Sequence, residues 1–66
     1  MSITAEKTLM EKMRRLADAG HARADELRDK AEKLDAAIKN YDAMKVLGAW
    51  ARARRLWCDC TGEDLV

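Results

Sequence analysis

The chain contains no proline, only two cysteines and one histidine, and no long apolar run. Without proline, and with an abundance of Ala, Leu, Met, Glu, Lys and Arg, the composition favours helices. Two cysteines are too few for a disulfide-stapled secreted scaffold, so we expect reduced thiols. No stretch approaches the ~20 apolar residues of a membrane span, and charged residues from Glu6 to Arg15 rule out a signal peptide. The sequence therefore predicts a cytoplasmic, all-helical protein without a membrane partner.

The chain is also short and nearly neutral. Thirteen basic residues stand against twelve acidic ones among 66 residues, which removes the simplest argument for nucleic-acid binding. A domain of this size buries only about 60% of its unfolded surface, and small domains commonly need a disulfide, a metal or a partner chain. We therefore expect a single helical domain over residues 1–66 that associates with itself.

Apolar residues recur at alternating spacings of three and four along the first two thirds of the chain. This is the a/d pattern of a helix that packs along its length. Acid-before-base pairs four residues apart, such as Glu26 and Lys30, also favour helix. The members of this first seam are Met10, Met13, Ala17, Gly20, Ala24, Leu27, Ala31, Leu34, Ile38 and Tyr41. We therefore predict one long helix over residues 4–39.

Gly20 offers an alternative, because glycine often follows the last residue of a helix. In that case the first helix stops at Gly20 and the protein is a three-helix bundle. The seam keeps its phase through Gly20, however, and no good capping residue follows it. The continuous helix is therefore the preferred prediction.

A second seam begins after residue 42, out of phase with the first. Its members are Ala43, Val46, Trp50, Ala53, Trp57 and Cys60. At the phase change, residues 40–42 suit a turn, because Asn40 can adopt the left-handed conformation that ends a helix and Asp42 can cap the next one.

The second helix is predicted over residues 42–60, with residues 43–60 following the cap. Gly62 is expected just past its C-terminus, and residues 61–66 are expected to form an acidic tail.

The unequal lengths of these two helices predict an assembly. At 1.5 Å per residue the first helix spans roughly 54 Å and the second roughly 28 Å. The short helix then leaves Met10 and Met13 uncovered unless a second chain packs over them. A homodimer of two helical hairpins, arranged as an antiparallel, coiled-coil-like four-helix assembly, buries both seams.

Cys58 and Cys60, beside Trp57, are the residues that most resemble a metal or redox site. If the helix persists to Cys60, the two thiols lie about 200° apart around it and cannot hold one ion. A packed helix end is the preferred interpretation, with a metal or redox role as the alternative. His21 at mid-helix has no evident catalytic partner. We therefore predict no enzyme, no metal and no cofactor.

The second helix is the candidate binding surface. Arg52, Arg54 and Arg55 make it basic, and Arg54 lies between Trp50 and Trp57, where its guanidinium can stack on an indole. Tryptophan and arginine are enriched at binding hot spots, although arginines near a helix C-terminus also suit the helix dipole. Protein recognition through these five residues is the first prediction. A small dimer that binds nucleic acid through the same helix is the alternative.

The run GAWARARRLWCDCTGEDLV, residues 48–66, resembles the C-terminal ends of small early-region proteins of Mu-like temperate phages. Proteins of that kind are commonly non-catalytic inhibitors. The resemblance implies a module that binds a host transcription regulator, a surface-appendage motor or a defence component in the host cytoplasm. It covers less than a third of the chain and assigns no role to any residue.

Overall fold

A computed structural model describes residues 3–63 of the chain. This part of the protein folds into three helices: α1 (Thr4–Asp18), α2 (Ala24–Lys39) and α3 (Ala43–Thr61). The prediction of an all-α protein is confirmed. None of the described helices has the length and apolar character needed to cross a membrane.

The prediction of a single helix over residues 4–39 is wrong, and the three-helix alternative is the arrangement observed. Gly20 has a φ of 88°, in the left-handed region that glycine adopts without steric cost. The amide of Gly20 donates to the carbonyl of Ala17, and the amide of His21 donates to the carbonyl of Leu16. This pair of hydrogen bonds is the Schellman motif, which closes the last turn of α1. The seam keeps its phase because both helices turn their apolar stripes towards one core.

The predicted turn between α2 and α3 is confirmed, with one correction. Asp42 caps α3 by accepting a hydrogen bond from the Lys45 amide at 3.1 Å, and Gly62 has a left-handed φ of 76° at the end of α3. The left-handed residue after α2 is Tyr41, with a φ of 53°, and not Asn40. Tyr41 is the left-handed residue of a second Schellman motif at the end of α2. Asn40 would take that role only if α2 ended one residue earlier.

The core is formed by all three helices, and α2 packs against both of its neighbours. Met10, Met13, Ala17, Leu27, Ala31, Leu34, Val46, Ala53 and Trp57 of the two seams are buried. Ala24, Ile38, Trp50 and Cys60 pack partly buried against them. The structure adds Leu9, Ala37, Ala49 and Leu56 to the core.

Gly20 and Tyr41 lie outside the core of the single chain. Both are exposed, and the ring of Tyr41 is 95% accessible to solvent. They are the left-handed residues at the ends of α1 and α2, where the backbone turns away from the helix axis and the apolar stripe is interrupted.

The break at residues 19–23 also removes the reason for the predicted homodimer. Met10 and Met13 are 4% and 0% exposed within one chain, so they need no second chain to cover them. The long-and-short hairpin is replaced by three helices of 15, 16 and 19 residues. Of the predicted acidic tail, Thr61 belongs to α3, Gly62 and Glu63 follow it, and residues 64–66 lie outside the described residues.

Candidate functional site

α3 carries a second apolar stripe, which faces away from the core. Met44 and Leu47 are 83% and 64% exposed, and Ala51 and Cys58 are exposed as well. Because these four residues are three, four and seven positions apart, they lie on one face of the helix. We call Met44, Leu47, Ala51 and Cys58 the outer stripe.

Basic residues border the outer stripe on both sides. By helical position, Lys45, Arg52 and Arg55 lie along one border, and all three are exposed. Arg54 lies along the other border, where its guanidinium carbon is 5.7 Å from the centroid of the Trp50 ring. This separation is within the range of a cation–π contact. Asp59 is the single acidic residue of α3.

The basic border differs from the charged surfaces of α1 and α2, where ion pairs are frequent. Arg28 pairs with Asp18 at 3.0 Å, and Lys33 pairs with Asp29 at 3.0 Å. A side-chain hydrogen bond from Lys33 holds the pKa of Asp29 below its usual value.

Within the described residues, Lys45, Arg52 and Arg55 form no ion pair. These three positive charges are therefore available to pair with groups beyond the described residues. These three cations and the outer stripe share the exposed side of α3.

Trp57, one of the five residues predicted to contact a partner, belongs to the core. It is 7% exposed, and its indole Nε1 donates a hydrogen bond to Oε2 of Glu63 at 3.2 Å. The structure thus brings Arg52 and Arg55 to the outer face and stacks Arg54 beside half-buried Trp50.

Sequence reasoning found Lys45 among the basic residues of this helix but missed Met44 and Leu47 as surface residues. A signal for them existed, because Met44, Leu47 and Ala51 repeat the three-and-four spacing on a face other than that of Val46 and Ala53.

The two cysteines lie on different faces of α3. The helix persists through Thr61, so Cys58 and Cys60 are about 200° apart around it. Cys58 is exposed, whereas Cys60 packs against the core. Within residues 3–63, no group of three or more His, Cys, Asp or Glu side chains is placed to hold a metal ion.

His21 lies in the connection between α1 and α2, and its predicted mid-helix position is wrong. Its Nδ1 accepts a hydrogen bond from the backbone amide of Arg23 at 3.0 Å. This contact satisfies an amide at the start of α2, where Arg23 itself makes no side-chain cap. His21 therefore satisfies the amide of the N-cap residue Arg23, and α2 begins without a side-chain cap.

An apolar groove lies at the end of the bundle where α2 meets α3. It is lined by Ile3, Ile38, Tyr41, Ala43 and Val46. These side chains offer no carboxylate, imidazole, thiol or amine, and the phenol of Tyr41 is their single polar group. The groove supplies apolar contact area and no acid–base pair.

Comparison with family models, with curated proteins and with solved structures gives no match for this chain. The resemblance of residues 48–66 to phage early-region proteins therefore stays a prediction.

Proposed function

We propose that the protein is a non-enzymatic module that binds another protein through the outward face of α3 and thereby modulates or inhibits it. The observation that supports this function is the outer stripe together with Lys45, Arg52 and Arg55 on one of its borders, which form no ion pair within the described residues. Large apolar side chains grouped on a surface and rimmed by charge are typical of protein interaction sites. Met44 and Leu47 supply the apolar centre, and Arg52 and Arg55 supply part of the rim.

The apolar side chains are large enough to matter energetically. Full burial of one leucine or methionine contributes about 1.5–3 kcal/mol, so Met44 and Leu47 together contribute roughly twice that amount. The loss of translational and rotational freedom on association opposes this gain. Contacts to the arginines and to Trp50 must then supply the remainder of the affinity, in keeping with the enrichment of these residue types at hot spots.

Affinity capture from a bacterial lysate, followed by mass spectrometry, tests this function. The parent protein is compared with the double variant Met44→Ser, Leu47→Ser. The control is Glu32→Ser, because Glu32 is exposed on the side of α2 that faces α1. We expect a defined protein to be retained by the parent and the control and lost from the double variant. Retention of the same proteins by all three contradicts the proposal.

Nucleic-acid binding is the alternative, and the unpaired cations Lys45, Arg52 and Arg55 favour it. Three phosphate contacts predict that log K falls with log salt at a slope of about −2.7 on duplex DNA. Against this function, phosphates along the basic border would leave Met44 and Leu47 exposed. Binding to duplex DNA and RNA across a salt series, with Arg52→Ala plus Arg55→Ala as the variant, tests the alternative. Absence of binding at low salt removes it.

The homodimer stays a prediction, with a different surface available to it. Since Met10 and Met13 are covered within one chain, a dimer must use exposed residues, and the outer stripe offers the largest exposed apolar side chains of α3.

The phage resemblance supports a narrower form of the proposal, in which the target is a host transcription regulator, an appendage motor or a defence component.

A further inference from the structure

The outer stripe has the geometry of a contact between two helices. It runs from Met44 to Cys58, a rise of about 21 Å along α3 at 1.5 Å per residue. Spacings of three and four are those by which two packed helices interlock their side chains. Ala51 lies near the middle, where a small side chain lets a second backbone approach closely. A partner helix of two heptads matches this length, and one of three heptads covers the stripe and extends about one heptad past it.

The charges of α3 select the kind of helix that fits. The helix carries four basic residues and one acidic residue, and the basic residues occupy both borders of the stripe. Charges at such flanking positions determine which helices pair and in which orientation. Within the described residues, Asp35 of α2 already pairs with Arg14 and Lys39, whereas Lys45, Arg52 and Arg55 of α3 form no ion pair. A partner helix with acidic flanks would supply the complement for these three cations.

We infer that the partner of this protein presents an amphipathic helix whose apolar stripe is bordered by acidic residues, and that this helix lies along Met44, Leu47, Ala51 and Cys58. The inference rests on the proposed function and names the chemistry of the target. A second copy of the chain fits less well, because pairing α3 with another α3 places arginines beside arginines. Such like-charge contacts suppress the wrong partner.

Tyr41 gives independent support for a partner at this end of α3. Its backbone is left-handed, with a φ of 53°, a conformation that costs a side chain with a Cβ. Its ring is 95% exposed, so the fold gains little packing in return. Residues kept in unfavourable backbone conformations commonly serve a function. Tyr41 lies three residues before Met44 in the chain, and its exposed ring lines the apolar groove at this end of α3.

Two synthetic peptides of three heptads test the inference against the full chain. Both carry leucine at positions a and d. One has glutamate at the flanking positions and its twin has lysine, and repulsion within each set keeps either peptide from pairing with itself. Fluorescence anisotropy of the labelled peptides gives the affinities. We expect the glutamate peptide to bind at least about tenfold more tightly, a difference of about 1.4 kcal/mol.

Variants of the protein show whether the stripe is responsible. Leu47→Ser should weaken the glutamate peptide about tenfold or more. The double variant Arg52→Ala, Arg55→Ala should reduce the affinity difference between the glutamate and lysine peptides. It should also reduce the salt dependence of glutamate-peptide binding. Glu32→Ser should leave the affinity unchanged. Circular dichroism of each variant verifies that the helices are retained, so that a loss of binding is not a loss of fold.

Several outcomes overturn the inference. One such outcome is equal binding of the two peptides. Another is that neither peptide binds while affinity capture still finds a protein whose retention depends on the stripe. In either case the proposed function stands, and the inference of an acidic partner helix is rejected. Failure of both experiments removes both proposals. Binding to phosphatidylserine vesicles in place of the peptides assigns the surface to a membrane. A dimer in sedimentation equilibrium that is abolished by Leu47→Ser assigns it to a second copy.

Discussion

The carboxylate of Glu63 links the buried indole of Trp57 to α1. Its Oε2 accepts the hydrogen bond from Trp57 Nε1 at 3.2 Å, and its Oε1 lies 3.4 Å from Nζ of Lys12. Gly62, with its left-handed φ of 76°, turns the chain so that Glu63 folds back against α3. Glu63, two residues after the end of α3, thus satisfies the indole donor of Trp57, whose burial would make an unpaired polar group cost about 1–3 kcal/mol.

Glu63→Ala should lower the free energy of unfolding by about 1 kcal/mol, because the indole N–H of Trp57 loses its acceptor. Glu63→Gln keeps an acceptor oxygen and should recover most of that loss. Lys12→Ala removes only the partly exposed ion pair and should cost at most about 1 kcal/mol. Urea unfolding followed by tryptophan fluorescence measures all three. Equal stability of the alanine variant and the parent would show that water replaces Glu63 without cost.

Gly20→Ala and Gly48→Ala should change stability in opposite directions. Gly20 has a φ of 88°, so a Cβ there should destabilise the fold by about 1–2 kcal/mol. Gly48 lies inside α3, where alanine should stabilise by about 0.5–1 kcal/mol. A Cβ at either position meets nothing within 4 Å, so packing does not distort the comparison. Thermal unfolding of both variants gives the test, and stabilisation by both would restore the continuous helix over residues 4–39.

Tyr41→Asn should raise the free energy of unfolding by a few tenths to about 1 kcal/mol, because asparagine tolerates the left-handed conformation better than tyrosine does. Tyr41→Ala removes the same ring but keeps the steric cost of a Cβ, so it should give no such gain. If Tyr41 serves recognition, both variants should bind the captured protein more weakly. Denaturant unfolding and binding are measured on the same samples. A destabilised asparagine variant would show that the ring supports the fold.

Leu27→Ala and Leu47→Ala should separate the core from the outer stripe. Leu27 is 0% exposed, and its truncation should cost about 2–5 kcal/mol, a large part of the ~5–15 kcal/mol that stabilises a typical domain. Leu47 is 64% exposed, so its truncation should change stability by less than about 0.5 kcal/mol. Thermal unfolding distinguishes them. A large loss at Leu47 would mean that the residue is already covered in the isolated protein.

The sequence carries enough local information to predict the connection between α2 and α3. Asp42 precedes a helical stretch and can accept from its first amides, and Gly62 follows that stretch as a left-handed cap. Both roles depend on a few neighbouring residues. The break at Gly20 is harder to predict, because the seam keeps its phase and α2 begins without a side-chain cap.

The candidate site could be predicted only in part, for a related reason. A search for apolar periodicity finds the face of α3 that carries Val46 and Ala53, because that face is the more continuous one. Which residues remain outside becomes known only when α3 is docked on α1 and α2. The second seam already contains Trp57, which is buried, whereas the exposure of Met44 and Leu47 depends on how α3 docks.

Site-specific photo-cross-linking tests the central claim, that the outward face of α3 is the surface that binds another protein. A photoreactive amino acid replaces Leu47 in one variant and Glu32 in another, and both are irradiated in bacterial cells. The proposal predicts a covalent adduct of defined mass, containing a second protein, from position 47 and none from position 32. Adducts from position 32 alone, or adducts from position 47 that contain only a second copy of this chain, would contradict it.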